Sequence, residues 1–276
     1  MREIVYDSET TGLSPVHHRI VSFAAVELVN REPTGRFLHF YLNPDRESDP
    51  RALEVHGLTT EFLSTKPRFG EVAASLLDFV IGDPLVIHNA DFDVGFLRKE
   101  LLLTGRGEQG GRAICTKCLA QRQFGRGGGG TGANYSYTNR LDDLVKRFGI
   151  RDLRQETGAH GALVDCLLLV NVYRSLLKLP VLDFDLSPYM DVVNGRASER
   201  STEGQGVPAR QESVAIGGGA GQGGSGAEQE LLRNDRVPDA AAAGRAESAG
   251  ATPRSLAGGG SVGGVTVGGP IAGVSP

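Results

Sequence analysis

Hydrophobic and polar positions in the first third of the chain predict a sheet that begins with three strands. Ile4-Val5-Tyr6 is a short apolar run, and two longer runs, Arg19 to Asn30 and Arg36 to Leu42, have strand character. Pro33-Thr34-Gly35 lies between these two runs and predicts a hairpin turn there. Leu85-Val86-Ile87 predicts a further short strand.

Helical spacing of apolar residues follows the first strands and recurs to about residue 177. It predicts helices from Phe69 to Val80, Asp91 to Leu103, Leu141 to Phe148 and Gly161 to Leu177. Three strands come first, and helices then alternate with further strands. This order predicts an α/β domain with a mixed sheet flanked by helices.

Composition divides the chain near Leu179-Pro180. The sequence holds 39 glycines, many of them after this point, where Ala, Ser, Gln and Pro separate short glycine runs. Such a segment buries too little apolar surface to offset the entropy of ordering it. We therefore predict a folded domain over residues 1–179, a candidate docking segment over 180–194 that could also pack back on the domain, and a disordered tail over 195–276. The glycine-rich insertion Gly125 to Gly132 is predicted to be a mobile loop.

Charge and cysteine content limit the classes of function. The formal net charge is −4, so the composition offers no overall basic excess for coating nucleic acid. If the substrate is a nucleic acid, cations or partner subunits must supply part of the attraction. The three cysteines form no complete zinc site and are interpreted as ordinary thiols. With no predicted signal peptide and no apolar run near the ~20 residues needed to cross a bilayer, we expect a cytoplasmic protein without a membrane partner.

Two carboxylates follow the first strand. Alternate strand side chains share a face, so Asp7 and Glu9 point the same way and repel each other unless a cation lies between them. A solvent-facing strand end is the plainer alternative for this pair alone.

Polar residues also follow the strand at Leu85-Val86-Ile87. Asn89 or Asp91 is predicted to cap the next helix, with Asp91 favoured, which leaves Asp93 as a candidate metal ligand. His88 is interpreted as a hydrogen-bonded structural histidine.

The third cluster is His160 to Asp165. Five residues of continuous helix would turn His160 and Asp165 to different faces, so we predict that His160 lies in a loop and that Asp165 lies on the helix after it. Four carboxylates are the oxygen donors that Mg²⁺ or Mn²⁺ prefers, and a nearby histidine can accept a proton from an attacking water. Together the clusters predict phosphodiester hydrolysis with two divalent cations.

The sequence resembles the DEDDh 3′→5′ exonucleases of the ribonuclease H-like fold, and among them the epsilon (proofreading) subunits of bacterial DNA polymerase III. The resemblance spans roughly residues 1–178 and rests on five stretches in the family's order: Ile4 to Leu13, Ala25 to Asn30, Val55-His56-Gly57-Leu58, Leu85 to Asp93, and His160 to Asp165. Ser22-Phe23 departs from the Glu-Ile usual in the second strand, which predicts altered packing rather than lost activity.

The resemblance implies that Asp7, Glu9, Asp93 and Asp165 bind two Mg²⁺ or Mn²⁺ ions and that His160 is the general base. It implies that the substrate, a DNA 3′ end, contacts Asp7, Glu9, Thr10, Thr11, His56 and Asp165, with the two threonines facing the terminal nucleotide through backbone groups. His56 remains equally open to a structural role before a glycine turn.

The partners implied by the resemblance are the alpha subunit of DNA polymerase III and, as further candidates, a theta-like subunit or a sliding clamp. Two other interpretations stay open: a free-standing DEDDh exonuclease acting on short RNA or DNA, and an inactive scaffold subunit.

Overall fold

The computed structural model describes residues 1–107, 111–125, 138–157 and 160–193. Within these residues, one sheet has the order β3-β2-β1-β4-β5. β1 pairs with β2 and β2 with β3 in antiparallel fashion, whereas β1 with β4 and β4 with β5 are parallel. The predicted mixed sheet is therefore confirmed. The strands are β1 Arg2–Thr10, β2 Ile20–Val29, β3 Glu32–Tyr41, β4 Leu85–Ile87 and β5 Ala113–Cys115.

Nine α-helices are seen in the described part of the chain, and the four predicted helices are among them. Helices α1, α2, α5, α7 and α9 and strand β5 were not predicted. No helix in the described part of the chain is long and apolar enough to cross a membrane. The helices are α1 Pro50–His56, α2 Thr60–Ser64, α3 Phe69–Val80, α4 Ala90–Leu103, α5 Thr116–Phe124, α6 Leu141–Arg147, α7 Arg154–Thr157, α8 Ala162–Leu176 and α9 Met190–Val193.

The two faces of the sheet carry separate hydrophobic cores. Val5 points into the core that contains nearly all of α8, whereas Ile4 and Tyr6 point into the core formed with α3 and α4. Of the fifteen residues of α8, all but Ser175 are buried. A helix that is apolar nearly all round belongs inside a domain, which explains why its sequence lacks a polar face.

The hairpin between β2 and β3 turns earlier than predicted. Asn30 and Arg31 take positive φ angles of 53° and 65° and form the turn, whereas Pro33 and Gly35 lie inside β3. Two consecutive positive φ angles match the right-handed twist of the flanking strands, and Asn tolerates that conformation well. The register jumps from Val26↔Phe37 to Leu28↔Pro33, so the Pro-Thr-Gly stretch forms a bulge on an edge strand, where proline is tolerated.

The predicted cap of α4 was also wrong. Asn89 occupies the N-cap position with φ 63°, and its side chain makes no capping bond. Its Oδ1 instead accepts a hydrogen bond from Lys117 Nζ at 3.1 Å. Asp91 lies within the first turn of α4, where the helix dipole favours a carboxylate without a capping bond.

The segment after α8 packs back on the domain as far as residue 193. Asn171 exchanges two hydrogen bonds of 2.8 Å with the backbone of Leu182, and the Tyr189 ring lies 5.1 Å from that of Phe37. A docking role for residues 180–194 stays a prediction. The tail, residues 195–276, and nearly all of the Gly125 to Gly132 insertion lie outside the described residues.

Candidate active site

Asp7 and Glu9 lie within β1, near its end, because this strand extends past Tyr6 to Thr10. They continue the alternation of Val5 and so point to the sheet face that α8 covers. Across the antiparallel pair, Asp7 is opposite Ala24 and Glu9 is opposite Ser22. Both partners are small, which leaves space above the two carboxylates.

Asp165 meets this pair from the first turn of α8. Carboxylate oxygens of Asp7, Glu9 and Asp165 all lie within 4.8 Å of one another. Among the described residues, these three side chains form a group with the spacing needed to hold a metal ion. The helix begins at Ala162, one residue later than predicted, and His160 lies in the preceding loop, as predicted. A hard-oxygen donor set of this kind fits a divalent cation such as Mg²⁺ or Mn²⁺.

Asp93 contacts β1 through Ser8 and is not part of that group of three. It lies in the first turn of α4, is buried, and accepts a 2.6 Å hydrogen bond from Ser8 Oγ. Ser8 points away from Asp7 and Glu9, towards the core of α3 and α4. The structure therefore brings three of the four predicted ligands within 4.8 Å of one another. Asp93 lies outside that group, although its charge raises the pKa values of both Asp7 and Glu9.

Electrostatics show that the carboxylates repel one another. Burial, followed by the charge of Asp93 and then that of Asp165, raises the pKa of Asp7 well above its usual value. Burial and the charge of Asp165 raise the pKa of Glu9 to about 7. Burial also raises the pKa of Asp93 to about 7, although its hydrogen bonds to Ser8 oppose the shift. A bound cation would relieve this repulsion, since it favours the charged forms.

His160 lies at the mouth of the group with its side chain 41% exposed. Its Nδ1 is 3.5 Å from Asp165 Oδ2, and interaction with that carboxylate raises the pKa of His160. The histidine is thus close to a predicted metal ligand and open to solvent, which are both requirements for a group that takes a proton from water.

Arg154, on α7, also borders the carboxylates, and the sequence analysis did not identify it. Its Nε is 3.0 Å from Asp165 Oδ1, and its side chain is 9% exposed. No motif or periodicity marks this position, because α7 is a single four-residue turn without a buried apolar residue.

Thr10 and Thr11 belong to a tightly bonded turn beside the group. Thr10 Oγ1 donates to Gly12 O at 2.7 Å. Thr11 donates its N–H to Arg19 O and accepts from the N–H of Asp49, both at 2.8 Å. The backbone groups of Thr11 are therefore already paired, whereas Thr10 lines an adjacent cavity. Substrate contacts of both threonines stay predictions.

Two cavities adjoin Glu9, and His56 lines both. The larger has a volume of about 690 Å³, and the smaller, of about 90 Å³, also borders His160. His56 Nδ1 accepts the N–H of Leu58 at 2.9 Å, which fits the structural role. Its Nε2 is buried without a hydrogen-bond partner among the described residues, which also leaves a group for a ligand. The larger cavity is lined by Ser8, Glu9, Thr10, Gly12, Leu13, Asp49, Pro50, Arg51, Ala52, Val55, His56 and Phe92.

His88 has the contacts of a structural histidine. Its Nδ1 is 3.0 Å from Thr116 Oγ1, and burial lowers its pKa to about 4. Cys115 caps α5 by accepting the N–H of Cys118 on its sulfur. Neither residue belongs to the carboxylate group.

Comparison with known proteins identifies the family. A family model described as Exonuclease, of the ribonuclease T type, matches residues 4–173 and so contains the whole carboxylate group and His160. The chain belongs to this exonuclease family. Exonucleases of this fold generally use divalent metal ions, which agrees with the donor set.

Two curated relatives of this exonuclease share a name. A DNA polymerase III subunit epsilon of Rickettsia prowazekii is 42% identical over 181 residues, covering 64% of this chain and 74% of the relative. The protein of the same name from Escherichia coli is 39% identical over 184 residues, covering 63% and 71%.

Solved structures agree on the fold. Escherichia coli exonuclease I in complex with a dT13 oligonucleotide is 20% identical with a TM-score of 0.54, over 69% of this exonuclease and 43% of that chain. Exonuclease I from Methylocaldum szegediense is 22% identical with a TM-score of 0.52, over 64% and 40%.

Proposed function

We propose that this exonuclease removes mispaired nucleotides from DNA 3′ ends during replication, as the proofreading subunit of a DNA polymerase III. The observation that carries the proposal is the group formed by Asp7, Glu9 and Asp165, within 4.8 Å of one another and beside His160. The name shared by relatives at 39–42% identity supports the polymerase assignment.

In this proposal Asp7, Glu9, Asp93 and Asp165 hold two Mg²⁺ or Mn²⁺ ions. Two such ions, when bound, would stabilise the attacking and leaving oxygens of a phosphodiester displacement. Asp93 would complete the site from the first turn of α4, since its carboxylate already raises the pKa values of Asp7 and Glu9. The raised pKa values of Asp7 and Glu9 support a cation site, since burial and mutual repulsion make their charged forms costly when no cation is present.

His160 would serve as general base. It lies in a loop rather than on α8, so its ring can move relative to the fixed carboxylates. Asp165 would orient the ring through the contact at Nδ1 and would stabilise the imidazolium once the proton has been taken from water. Partial exposure lets the proton leave to solvent afterwards.

The larger cavity would hold the 3′-terminal nucleotides. It begins at Glu9, and its rim includes Leu13, whose side chain is 85% exposed, and Val55, which is also exposed. Exposed apolar side chains at a cavity rim suit the faces of unpaired bases. The unpaired Nε2 of His56 and the turn at Thr10 would contact the sugar and phosphate of the terminal nucleotide.

The alpha subunit of the polymerase would deliver the primer end, since the net charge of −4 gives little attraction for DNA. A theta-like subunit or a sliding clamp would be a further partner. The glycine-rich sequence after the domain would serve as a flexible tether to these partners.

The test is release of nucleoside 5′-monophosphates from a 3′-mismatched primer–template by wild type and Asp7→Ala, with Mg²⁺, Mn²⁺ or EDTA. We expect metal-dependent 3′→5′ release that is faster at a mismatch than at a paired end and lost in Asp7→Ala. Asp78→Ala is the matched control, because Asp78 is an exposed acid on α3. Preference for short RNA would favour the free-standing enzyme, and no release with or without the polymerase would favour the scaffold.

A further inference from the structure

Arg154 is a nearly buried cation in direct contact with the candidate active site. Besides the 3.0 Å contact of its Nε with Asp165 Oδ1, its Nη1 is 3.5 Å from His160 Nδ1. One guanidinium thus contacts both Asp165, the predicted metal ligand on α8, and His160, the predicted base in the loop before that helix. Its charge also opposes the raised pKa values of Asp7 and Glu9.

Two carboxylates that are not predicted metal ligands also hold Arg154. Its Nη1 donates to Asp142 of α6, and its Nε is 3.6 Å from Asp152 Oδ1. These two carboxylates neutralise much of the guanidinium charge that would otherwise repel a metal, and they fix the plane of the fork.

The carboxylate of Asp165 is divided between two neighbours. Oδ1 faces Arg154, while Oδ2 faces His160 at 3.5 Å. Ligating carboxylates depend on such outer partners, which fix their orientation for the cation. We propose that Arg154 is a positioning residue that orients Asp165 for cation binding and sets the place of the His160 ring. This inference rests on the metal site of the proposed function.

A different role for Arg154 would change metal affinity in the opposite direction. If Arg154 occupied the cation position itself, removing it would strengthen metal binding, since a competing positive charge would be gone. If Arg154 orients Asp165, removing it weakens metal binding. The contacts with Asp142 and Asp152 favour the orienting role, because these two carboxylates already share the guanidinium charge and are not predicted metal ligands.

The test is calorimetric titration of Mn²⁺ into the full-length protein without nucleic acid. We expect Arg154→Met to raise the Mn²⁺ dissociation constant by about 10–100-fold, the usual effect of losing such an outer partner. Arg154→Lys should recover part of the affinity, because an ammonium keeps the charge but not the fork. Arg151→Met is the matched control: Arg151 lies three residues earlier, pairs with Glu156 and Asp183 at the surface, and should leave affinity unchanged.

Unchanged or tighter Mn²⁺ binding by folded Arg154→Met would overturn the proposal. If that variant fails to fold, Arg154→Lys and Asp142→Asn provide the test. Both should bind Mn²⁺ more weakly than wild type, and wild-type affinity in both would overturn the proposal. The metal site of the proposed function would instead be refuted if wild type binds no Mn²⁺, or if wild type and Asp165→Asn bind it with the same affinity.

Discussion

Removing one charge from the carboxylate group should stabilise the metal-free protein. In Asp7→Asn the side chain keeps its shape but no longer repels Glu9 and Asp165. With oxygens within 4.8 Å, each pair of full charges repels by about 3 kcal/mol at an effective dielectric constant of ~20. Burial and the charge of Asp165 together raise the pKa of Glu9 from 4.5 to about 7, so repulsion accounts for part of that shift.

Attraction by Arg154 and reorganisation of solvent offset part of this repulsion, so we expect a net gain of ~2 kcal/mol at pH 8. For a domain of this size that gain raises Tm by ~4–8 °C. The assay is thermal unfolding in EDTA of wild type, Asp7→Asn and the exposed control Asp78→Asn. The stability gain of Asp7→Asn should shrink towards pH 5. A carboxyl whose folded pKa is raised binds more protons when folded, so wild type itself gains stability as pH falls through about 7.

Added Mn²⁺ should make wild type more stable than Asp7→Asn. The cation stabilises wild type by binding only the folded state, whereas Asp7→Asn has lost a ligand and should respond little. If Asp7→Asn is no more stable than Asp78→Asn in EDTA at pH 8, the carboxylates do not repel as the geometry requires, and the electrostatic argument fails.

Three other changes have definite expected outcomes. His160→Ala should lower kcat by about 10²–10⁴-fold, and an effect confined to KM would contradict a general-base role. Gly12→Ala places a Cβ 2.5 Å from the ring of His18 and should cost about 1–3 kcal/mol in urea unfolding, whereas Gly107→Ala, with open space around it, should not. Burial lowers the pKa of His39 to about 3, so His39 should destabilise the fold as pH falls from ~6.5 towards 3, because the unfolded chain takes up the proton first. His39→Gln should flatten that acid dependence in the same unfolding assay, and an unaltered slope would argue against a neutral buried histidine.

The parts of the fold that the sequence predicted are those with a strong local pattern. The buried run at Leu85-Val86-Ile87 and the apolar helix α8 keep their predicted type. Alternation in β1 placed Asp7 and Glu9 on one face, and the register with β2 agrees. The spacing of His160 and Asp165 required a loop before the helix, and α8 begins after Gly161.

The missed elements depend on contacts that are distant in sequence. Helix α1 buries only His56, so it has no apolar stripe to detect. The hairpin turn at Asn30-Arg31 was hidden by the stronger turn residues Pro33 and Gly35, which form a bulge instead. Arg154 acquires its importance from Asp142 and Asp165, which come from two other helices, so no local pattern could reveal it.

The three grouped carboxylates of the candidate site lie on the most rigidly packed elements of the domain. Asp7 and Glu9 lie on the strand at the centre of the sheet, and Asp165 lies on a helix whose residues are almost all buried. Mutual repulsion would push these carboxylates apart if they lay on loops, but moving β1 would expose both hydrophobic cores and moving α8 would expose one of them. The packing energy of the domain therefore holds the carboxylates at a spacing that suits a cation before any cation binds. This preorganisation explains why the metal-free protein should remain folded, and why single charge removals should raise its stability while removing metal affinity.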